Sequence, residues 1–213
     1  KEYQQKNQQI VYKKIENKGI AANTNAAAQL ATGEYLALAD HDDILAPHAL
    51  YTMGQAILQL RQQGEPDGFV YSDEALFSKS IRRPIAAHFK PDYAPDYLLC
   101  CNYICHLAVF KKELFDAVGG ERAECDGAQD HDLFLRLVDE MQRSDPAAKP
   151  LHIPQVLYYW RVHAASTSGG RGGAALSAPA SSQSRAKASW LAARLRGVSA
   201  SAARRPSSSA AAG

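Results

Sequence analysis

The feature that most constrains this chain is an alternation of short β-prone runs with helical stripes along its first 168 residues. The run 35–39 is apolar and is bounded by glycine and aspartate, which predicts a short strand. After Pro47, apolar residues recur at helical spacing until Gly64, which predicts a helix with proline in its first turn. Such alternation predicts an α/β/α sandwich with a mixed, mostly parallel sheet, whose ligands gather at the carboxyl ends of the strands.

The remaining predicted elements follow the same alternation. The predicted strands are 10–15, 69–71, 106–110 and 156–160. The predicted helices are 21–31, 112–118 and 130–141, the last of them strongly amphipathic. The segment 84–103 is rich in proline and aromatic residues, and we predict an irregular path there with one short helix.

Charge and composition divide the chain into two parts. The 213 residues carry a formal net charge of +2, but seven of the 24 Lys and Arg residues and none of the 22 Asp and Glu residues fall within 169–213. Residues 1–168 therefore carry 17 positive and 22 negative side chains, a net charge of −5. We predict one folded domain over 1–168, and over 169–213 a flexible, basic, Ala/Ser/Gly-rich tail with at most one short helix near 189–196.

Several classes of protein are excluded at this stage. No apolar run approaches the ~20 residues that cross a bilayer, and the first residues lack the apolar segment of a secretory signal. The tail contains Gly-Gly-Arg-Gly-Gly without interleaved aromatic residues, so no nucleic-acid partner is expected. We expect a cytoplasmic protein whose tail makes a peripheral contact with anionic lipid at the inner face of the membrane.

The cysteines are too few and too clustered for a disulfide scaffold in a chain of this length. We expect four reduced thiols, and the spacing of the first three does not match a zinc site because adjacent side chains rarely reach one tetrahedral ion. The four residues are Cys100, Cys101, Cys105 and Cys125.

An acidic cluster, Asp40-His41-Asp42-Asp43, directly follows the predicted strand 35–39. Three carboxylates in four residues repel one another unless a cation or hydrogen-bond donors offset their charge. Carboxylate oxygens are the ligands that hard divalent ions prefer, so the cluster predicts a site for Mg²⁺ or Mn²⁺. The alternative is a helix N-cap with acidic neighbours, although a cap requires only one of the three aspartates.

Two more motifs contain chemically active side chains. The segment 127–132, Gly-Ala-Gln-Asp-His-Asp, opens the long amphipathic helix, where either Asp130 or Asp132 can act as a general base while the other caps the helix. The segment 158–163, Tyr-Tyr-Trp-Arg-Val-His, ends the last predicted strand with an arginine suited to phosphate and a histidine suited to a metal. A surface aromatic strand explains the aromatic residues of this last motif equally well.

Several motifs, in order, resemble the nucleotide-sugar half of family 2 glycosyltransferases of the GT-A fold, in the branch that builds bacterial surface polysaccharides. The resemblance covers about residues 10–168. The matching segments are Glu16-Asn17-Lys18-Gly19-Ile20-Ala21-Ala22-Asn23-Thr24-Asn25, Thr32-Gly33-Glu34-Tyr35, the acidic cluster, Ser72-Asp73-Glu74-Ala75, Phe89-Lys90-Pro91-Asp92, Asn102-Tyr103, Val118-Gly119-Gly120, 127–133 and 157–163.

The resemblance implies a role for each candidate site residue. Asp40 and Asp42 are the implied D-x-D pair, with Asp42 on the metal and Asp40 on the metal or the ribose. Asp130 takes the position of the catalytic base, and His163 is a third metal contact. The implied nucleotide-binding residues are Asn17, Gly19 and Asn25, together with Asp40 and Asp42. The implied acceptor-site residues are Asn102, Gln129, Asp132, Trp160 and Arg161.

The implied function is metal-dependent, inverting transfer of a hexosyl or deoxyhexosyl group from a nucleoside-diphosphate sugar to a hydroxyl of a glycan or lipid-linked glycan. Two departures from the family pattern stand out. The chain begins with what resembles the second strand, so we expect the base-binding first strand and its helix to be absent and a sheet edge to be exposed. Asn23 and Thr24 depart from the expected phosphate-contacting residues.

Two alternatives remain open. One is a truncated, non-catalytic transferase-like module that binds a glycan or a partner. The other is a metal-dependent phosphohydrolase that uses the Asp40–Asp43 cluster, although no second cluster of metal ligands supports it.

Overall fold

The structure is a computed structural model that describes residues 2–162 and 188–193. The helices are α1 (Glu2–Lys6), α2 (Ile20–Ala28), α3 (Ala49–Gln63), α4 (Pro95–Cys100), α5 (Lys112–Ala117) and α6 (Gln129–Ser144), with a 3₁₀ turn at Ala123–Cys125. The strands are β1 (Tyr35–Asp40), β2 (Ile44–Leu45), β3 (Phe69–Phe77), β4 (Ala86–His88), β5 (Ala108–Lys111), β6 (Leu151–Arg161) and β7 (Ala188–Ala193).

The described strands form one mixed sheet in the order β2-β6-β3-β5-β1-β7, and β4 pairs with the carboxyl-terminal half of β3. The expectation of a mostly parallel sheet is wrong for these strands, since β3 and β6 form the one parallel pair and the other pairs are antiparallel. Two of the antiparallel pairs arise because β5 runs in the opposite direction between β1 and β3. The strands β1, β3 and β6 still point the same way, so their carboxyl ends lie at one edge of the sheet.

Helices cover both faces of the sheet, which confirms the predicted α/β/α sandwich. Alternate side chains of a strand point to opposite faces. Leu36, Phe69 and Phe110 pack with residues of α2, α5 and α6 on one face. Tyr35 and Val70 join a second cluster on the other face, where α3 contributes Ala49, Met53 and Ile57.

The predicted strand 10–15 is absent from the structure, which has no regular element there. Its apolar side chains are exposed, with Val11 at 61% and Ile10 at 40%. A β-prone run forms a strand only when a neighbouring strand pairs with it and a core covers one of its faces, and this segment has neither among the described residues.

The strand predicted at 69–71 is longer than its apolar run. It continues through Ser72, Asp73 and Glu74 to Phe77, because β6 pairs with it on one side along this whole length. A prediction based on hydrophobicity ended the strand too early, because these three consecutive residues are polar. The consequence is that the Ser-Asp-Glu motif lies inside the sheet, where all three side chains are buried.

The tail also contains a strand where a short helix near 189–196 was predicted. Ala188–Ala193 pairs antiparallel with the whole of β1, from Tyr35 opposite Ala193 to Asp40 opposite Ala188. An exposed sheet edge was expected, but the outer edge of β1 is occupied by this strand in the structure. Backbone pairing with an open edge overrides a weak helical preference in this segment.

None of the helices within residues 2–162 is long and apolar enough to cross a membrane.

Candidate active site

The acidic turn 40–43 lies at the carboxyl end of β1 and is held in place by β6. The backbone N–H of Asp40 donates to the Tyr158 hydroxyl at 2.9 Å, and that hydroxyl donates to Asp43 Oδ2 at 2.6 Å. Tyr158 is fully buried, and burial raises its pKa above the usual range. The phenol therefore stays protonated and keeps its hydrogen bond to Asp43.

Asp43 anchors the turn, a role that the sequence did not reveal. Besides the Tyr158 hydroxyl, its carboxylate accepts the backbone N–H of Arg161 at 2.7 Å. Burial raises the pKa of Asp43, and these two hydrogen bonds oppose that effect. The Arg161 guanidinium in turn donates to the Asp42 carbonyl at 2.7 Å and lies 4.5 Å from the Phe77 ring. Asp43, the third aspartate of the cluster, therefore has a structural role.

Asp40 and Asp42, the implied D-x-D pair, both have access to solvent. Asp40 is exposed, and the Asp42 side chain is about one-third exposed, with His41 Nδ1 3.7 Å from its Oδ1. No group of three His, Cys, Asp or Glu side chains in the described residues is placed to hold one ion. Mg²⁺ is held through one or two carboxylates when water and phosphate oxygens complete its shell, so Asp40 and Asp42 match such an ion in the type and number of their ligand groups. His163, the predicted third contact, lies outside the described residues.

Asp130 lies in the first turn of α6, where Asn102 orients it. Asn102 Nδ2 donates to Asp130 Oδ2 at 2.8 Å, and the other oxygen of the carboxylate accepts the His131 N–H at 2.9 Å. Asn102 is itself fixed, since its Oδ1 accepts the backbone N–H of Cys105 at 3.2 Å. The structure thus brings together two residues that lie 28 positions apart and that were separately predicted for the site.

The prediction that Asp130 or Asp132 caps α6 is wrong. The N-cap position is Ala128, which makes no side-chain cap. Asp132 is bound instead by Arg136 at 2.5 Å and by Arg122 at 3.5 Å. Residues three and four apart share one face of a helix, so Arg136 reaches Asp132 more easily than the helix start does.

The other predicted acceptor residues have structural contacts. Gln129 folds back on its own turn and accepts the Gly127 N–H at 2.7 Å. Trp160 is half-buried in β6, with its ring 6.4 Å from that of His106. Arg161 braces the acidic turn as described. Their contact with an acceptor stays a prediction.

Three of the five predicted nucleotide-binding residues, Asn17, Gly19 and Asn25, lie in α2 or just before it. Asn17 Oδ1 accepts the Gly19 N–H at 3.3 Å and Asn23 Nδ2 at 2.8 Å, which shapes the turn before the helix. Asn25 Nδ2 donates to the Glu121 carbonyl at 2.8 Å, and its Oδ1 accepts the Glu121 N–H at 2.9 Å. The Asn25 amide is therefore used to join α2 to the chain after Gly120. A role for these residues toward a nucleotide stays a prediction.

Asp126 caps α2 from a distant part of the chain, which sequence reasoning missed. Its carboxylate accepts the N–H groups of Ala21 at 2.9 Å and Ile20 at 3.3 Å. Gly19 has φ of 104°, and a Cβ there would lie 2.3 Å from Asp126 Oδ2. Only glycine permits this approach. The cap thus holds the loop before α6 against the start of α2.

A buried polar cluster on β3 lies between the acidic turn and Asp130. Glu74 is 2% exposed, and its carboxylate accepts the His106 N–H at 3.3 Å and contacts His88 Nδ1 at 3.0 Å. The Lys90 ammonium lies 3.5 Å from Glu74 and donates to the carbonyls of Ile104, at 2.5 Å, and His106. The His106 ring stacks on Tyr158 at 4.8 Å. The cluster thus connects Tyr158, which supports the acidic turn, to the segment that contains Asn102.

Asp73 makes a second group of buried polar contacts. Its Oδ1 accepts the backbone N–H of Lys90 at 2.9 Å and lies 2.8 Å from His152 Nε2 on β6. The register of the β3–β6 pair shifts on either side of Asp73. The motifs Ser-Asp-Glu and Phe-Lys-Pro-Asp were singled out only by resemblance, and the structure explains their spacing by these contacts.

The four cysteines are free thiols, as predicted. Burial raises the pKa of Cys105 to about 12, and nearby Glu74 and Asp130 act in the same direction. Its Sγ donates to the Asn102 carbonyl at 3.0 Å. Cys105 is therefore a neutral packing residue behind Asn102 and is unsuited to act as a nucleophile at neutral pH.

Glu121 is a buried carboxylic acid whose protonation near neutral pH affects the free energy of unfolding of the domain. It is 5% exposed, its Oε2 has no hydrogen-bond partner, and burial raises its pKa to about 8 from the ordinary 4.5. Because the protonated form is favoured in the fold, this contribution to the free energy of unfolding is present below about pH 4.5 and is lost as pH rises through about 8.

We expect the free energy of unfolding to fall between about pH 5 and about pH 9 by on the order of 2 kcal/mol. The shift in the pKa of Glu121 sets an upper limit on this change in the free energy of unfolding, about 1.4 kcal/mol for each unit of the shift. Urea unfolding at both pH values measures it. In Glu121→Gln the difference should shrink, whereas in the exposed control Glu124→Gln it should persist. An unchanged difference in Glu121→Gln would contradict the assignment.

Comparison with known proteins agrees with the fold. The family model of Glycosyl transferase family 2 matches residues 1–119, more than half of the chain. The chain belongs to glycosyltransferase family 2, and the resemblance to this family is confirmed.

Three relatives extend the match beyond residue 119. The chain is 41% identical over 140 residues to the uncharacterized protein y4gI of Sinorhizobium fredii, covering 65% of this chain and 14% of the relative. It is 36% identical over 154 residues to the O-antigen biosynthesis protein RfbC of Myxococcus xanthus, covering 71% and 11%. It is 25% identical over 154 residues to an uncharacterized glycosyltransferase of Haemophilus influenzae, covering 69% and 48%. The chain thus spans less than half the length of each relative.

Proposed function

We propose that this domain catalyses metal-dependent, inverting transfer of a sugar from a nucleoside-diphosphate donor to a hydroxyl of a glycan acceptor during synthesis of a cell-surface polysaccharide. One observation carries the proposal: two carboxylates with access to solvent, Asp40 and Asp42, lie on a turn fixed at the carboxyl ends of the parallel-running strands. Membership of glycosyltransferase family 2 and the relative that acts in O-antigen biosynthesis support it.

The donor side of the proposed site consists of Asp40 and Asp42, which would hold Mg²⁺ or Mn²⁺. Such an ion stabilises the negative charge that develops on a diphosphate leaving group. The protein keeps the two carboxylates in position through Asp43, Tyr158 and Arg161, which fix the backbone beneath them. Because these supports are already in place, little reorganisation is needed when the donor binds.

The acceptor side consists of Asp130 and its partner Asn102. We assign Asp130 as the general base that takes the proton from the attacking hydroxyl, with one carboxylate oxygen bound by Asn102 Nδ2 at 2.8 Å. A single direct displacement, with base and leaving group on opposite sides of the anomeric carbon, inverts the configuration at that carbon. Asn102 is a positioning residue in this scheme.

The proposal is tested by calorimetric titration of nucleoside diphosphates with and without Mn²⁺. Loss of outer partners of a metal site costs about 10–100-fold in affinity, so loss of the Asp42 carboxylate in Asp42→Asn should weaken Mn²⁺-dependent binding by at least about 100-fold. Asp43→Asn should fall within the 10–100-fold range through loss of support for the turn. Asp139→Asn is the matched control, because Asp139 is exposed on α6 and pairs with Arg143 there.

The alternative is a transferase-like module that binds a glycan or partner without catalysis. Nucleotide binding that does not depend on Mn²⁺, or no binding to any nucleoside diphosphate, would contradict the proposed function and favour this alternative. Binding with Mn²⁺ but without release of nucleoside diphosphate from a panel of donors and acceptors would contradict the catalytic part alone.

A further inference from the structure

The loop between β3 and β4 forms a basic pocket outside the proposed catalytic site. An open surface depression of about 460 Å³ is lined by Ser78, Lys79, Ser80, Arg82 and Arg83. The turn is shaped by hydrogen bonds at Ser80, whose hydroxyl accepts the Arg82 N–H at 3.2 Å and whose carbonyl accepts the Arg83 N–H at 3.1 Å. Three cationic side chains and two hydroxyls therefore border one concave surface.

The charge of this pocket is not balanced by its surroundings. The sequence from 75 to 91 contains no Asp or Glu. Lys79, Arg82 and Arg83 are exposed, and none of them forms an ion pair with the residues in 2–162. Like charges this close repel one another, and the pocket is complementary to an anion with several oxygens, of which phosphate is the type that arginine binds best.

An exposed apolar face follows the pocket directly. Ile85 is 60% exposed and Phe89 is 78% exposed, on either side of the short strand β4. Alternation along an extended segment puts Ile85, Ala87 and Phe89 on one face, opposite His88, whose ring contacts the buried Glu74. Large apolar side chains next to unpaired cations are the combination that binds at the interface of an anionic membrane.

The position of this surface relates it to the catalytic edge of the sheet. The pocket begins one residue after Phe77, whose carbonyl accepts the Val162 N–H at 2.8 Å and whose ring lies under the Arg161 guanidinium. Arg161 also holds the Asp42 carbonyl. The loop and the acidic turn are thus attached to the same end of β3 and β6.

We propose that the loop 78–85, together with Phe89, is a membrane-contact surface that binds the phosphate groups of anionic lipids through Lys79, Arg82 and Arg83 while Ile85 and Phe89 enter the interface. The inference does not depend on the proposed catalytic function. It places the membrane contact in the folded domain, whereas the sequence predicted it in the tail.

Sedimentation of the full chain with vesicles tests the proposal. The chain should bind vesicles of phosphatidylcholine and phosphatidylglycerol in equal parts, and should not bind phosphatidylcholine alone. Each cation near an anionic surface strengthens partition about fivefold, so the triple variant Lys79→Gln/Arg82→Gln/Arg83→Gln should bind about 100-fold more weakly. Ile85→Ser/Phe89→Ser should also weaken binding, and added salt should weaken it in the wild type.

The matched control is Lys13→Gln/Lys14→Gln/Lys149→Gln, which removes the same charge from exposed positions elsewhere. It should bind within about twofold of the wild type, since these cations lie outside the proposed surface. Equal losses in both triple variants, or full binding by the loop variant, would overturn the proposal. Loss of binding only on deletion of 169–213 would assign the contact to the tail instead. The proposal would also be overturned, in favour of a soluble phosphate ligand, if inorganic phosphate bound to the loop while the loop variant bound vesicles as well as the wild type does.

Discussion

Replacement of Asp130 by asparagine is expected to lower sugar transfer by about 10²–10⁴-fold, the usual contribution of a general base. The change keeps the shape of the side chain and removes its ability to take a proton. Asn102 can still approach the new amide, so the start of α6 should keep its conformation. Release of nucleoside diphosphate from a donor panel in the presence of acceptor measures transfer, and titration with Mn²⁺ and nucleotide should give affinity close to that of the wild type.

Asp139→Asn is the matched control for this experiment. Asp139 lies further along α6, is exposed and forms an ion pair with Arg143. Its replacement should leave the free energy of unfolding and the transfer activity close to those of the wild type. If Asp130→Asn retained near-normal turnover, or if both variants lost activity equally, Asp130 would not be the base.

Replacement of Lys90 by methionine is expected to lower the free energy of unfolding by about 3–5 kcal/mol, the usual effect of removing one partner of a buried ion pair. The Lys90 side chain is 3% exposed and lies 3.5 Å from the equally buried Glu74. Burial lowers the pKa of Lys90, and the charge of Glu74 opposes that shift. Without the ammonium, the Glu74 carboxylate and the carbonyls of Ile104 and His106 lose a buried partner.

Urea unfolding at neutral pH measures this change. The double variant Glu74→Gln/Lys90→Met should recover part of the loss, because no unpaired charge then stays in the interior. Lys14→Met, at an exposed position, should change stability by less than about 0.5 kcal/mol. A loss in Lys90→Met as small as that in Lys14→Met would show that the cluster is not buried and paired as described.

The elements with a clear apolar period were predictable from sequence. The helix Ala49–Gln63 follows Pro47 and ends at Gly64 as predicted, and Gln129–Ser144 contains the whole predicted amphipathic stripe. Periodicity records which face of an element is buried, so it succeeds where one face is apolar. It failed at 10–15, where β-prone residues have no partner, and at Ser72–Glu74, where a buried strand is polar.

The candidate site was predictable in its chemistry and less so in its geometry. The sequence singled out the acidic turn, Asp130 and Asn102 as separate motifs. It did not reveal that Asp43 would be used to anchor the turn, or that Asp126 would cap a helix 105 residues earlier in the chain. Such contacts depend on which residues meet in space, and short-range patterns contain no information on that.

The sequence by itself determined the alternation of elements, the acidic core with its basic tail, and the family to which the chain belongs, because these properties reside in the order and type of residues. Only the tertiary structure decided the directions of the strands, the pairing of β7 with β1, and the use of Asp43 to anchor the acidic turn. The physical reason is that hydrogen bonds and burial are shared between distant segments. A carboxylate becomes structural or available for chemistry according to the donors that the fold brings to it.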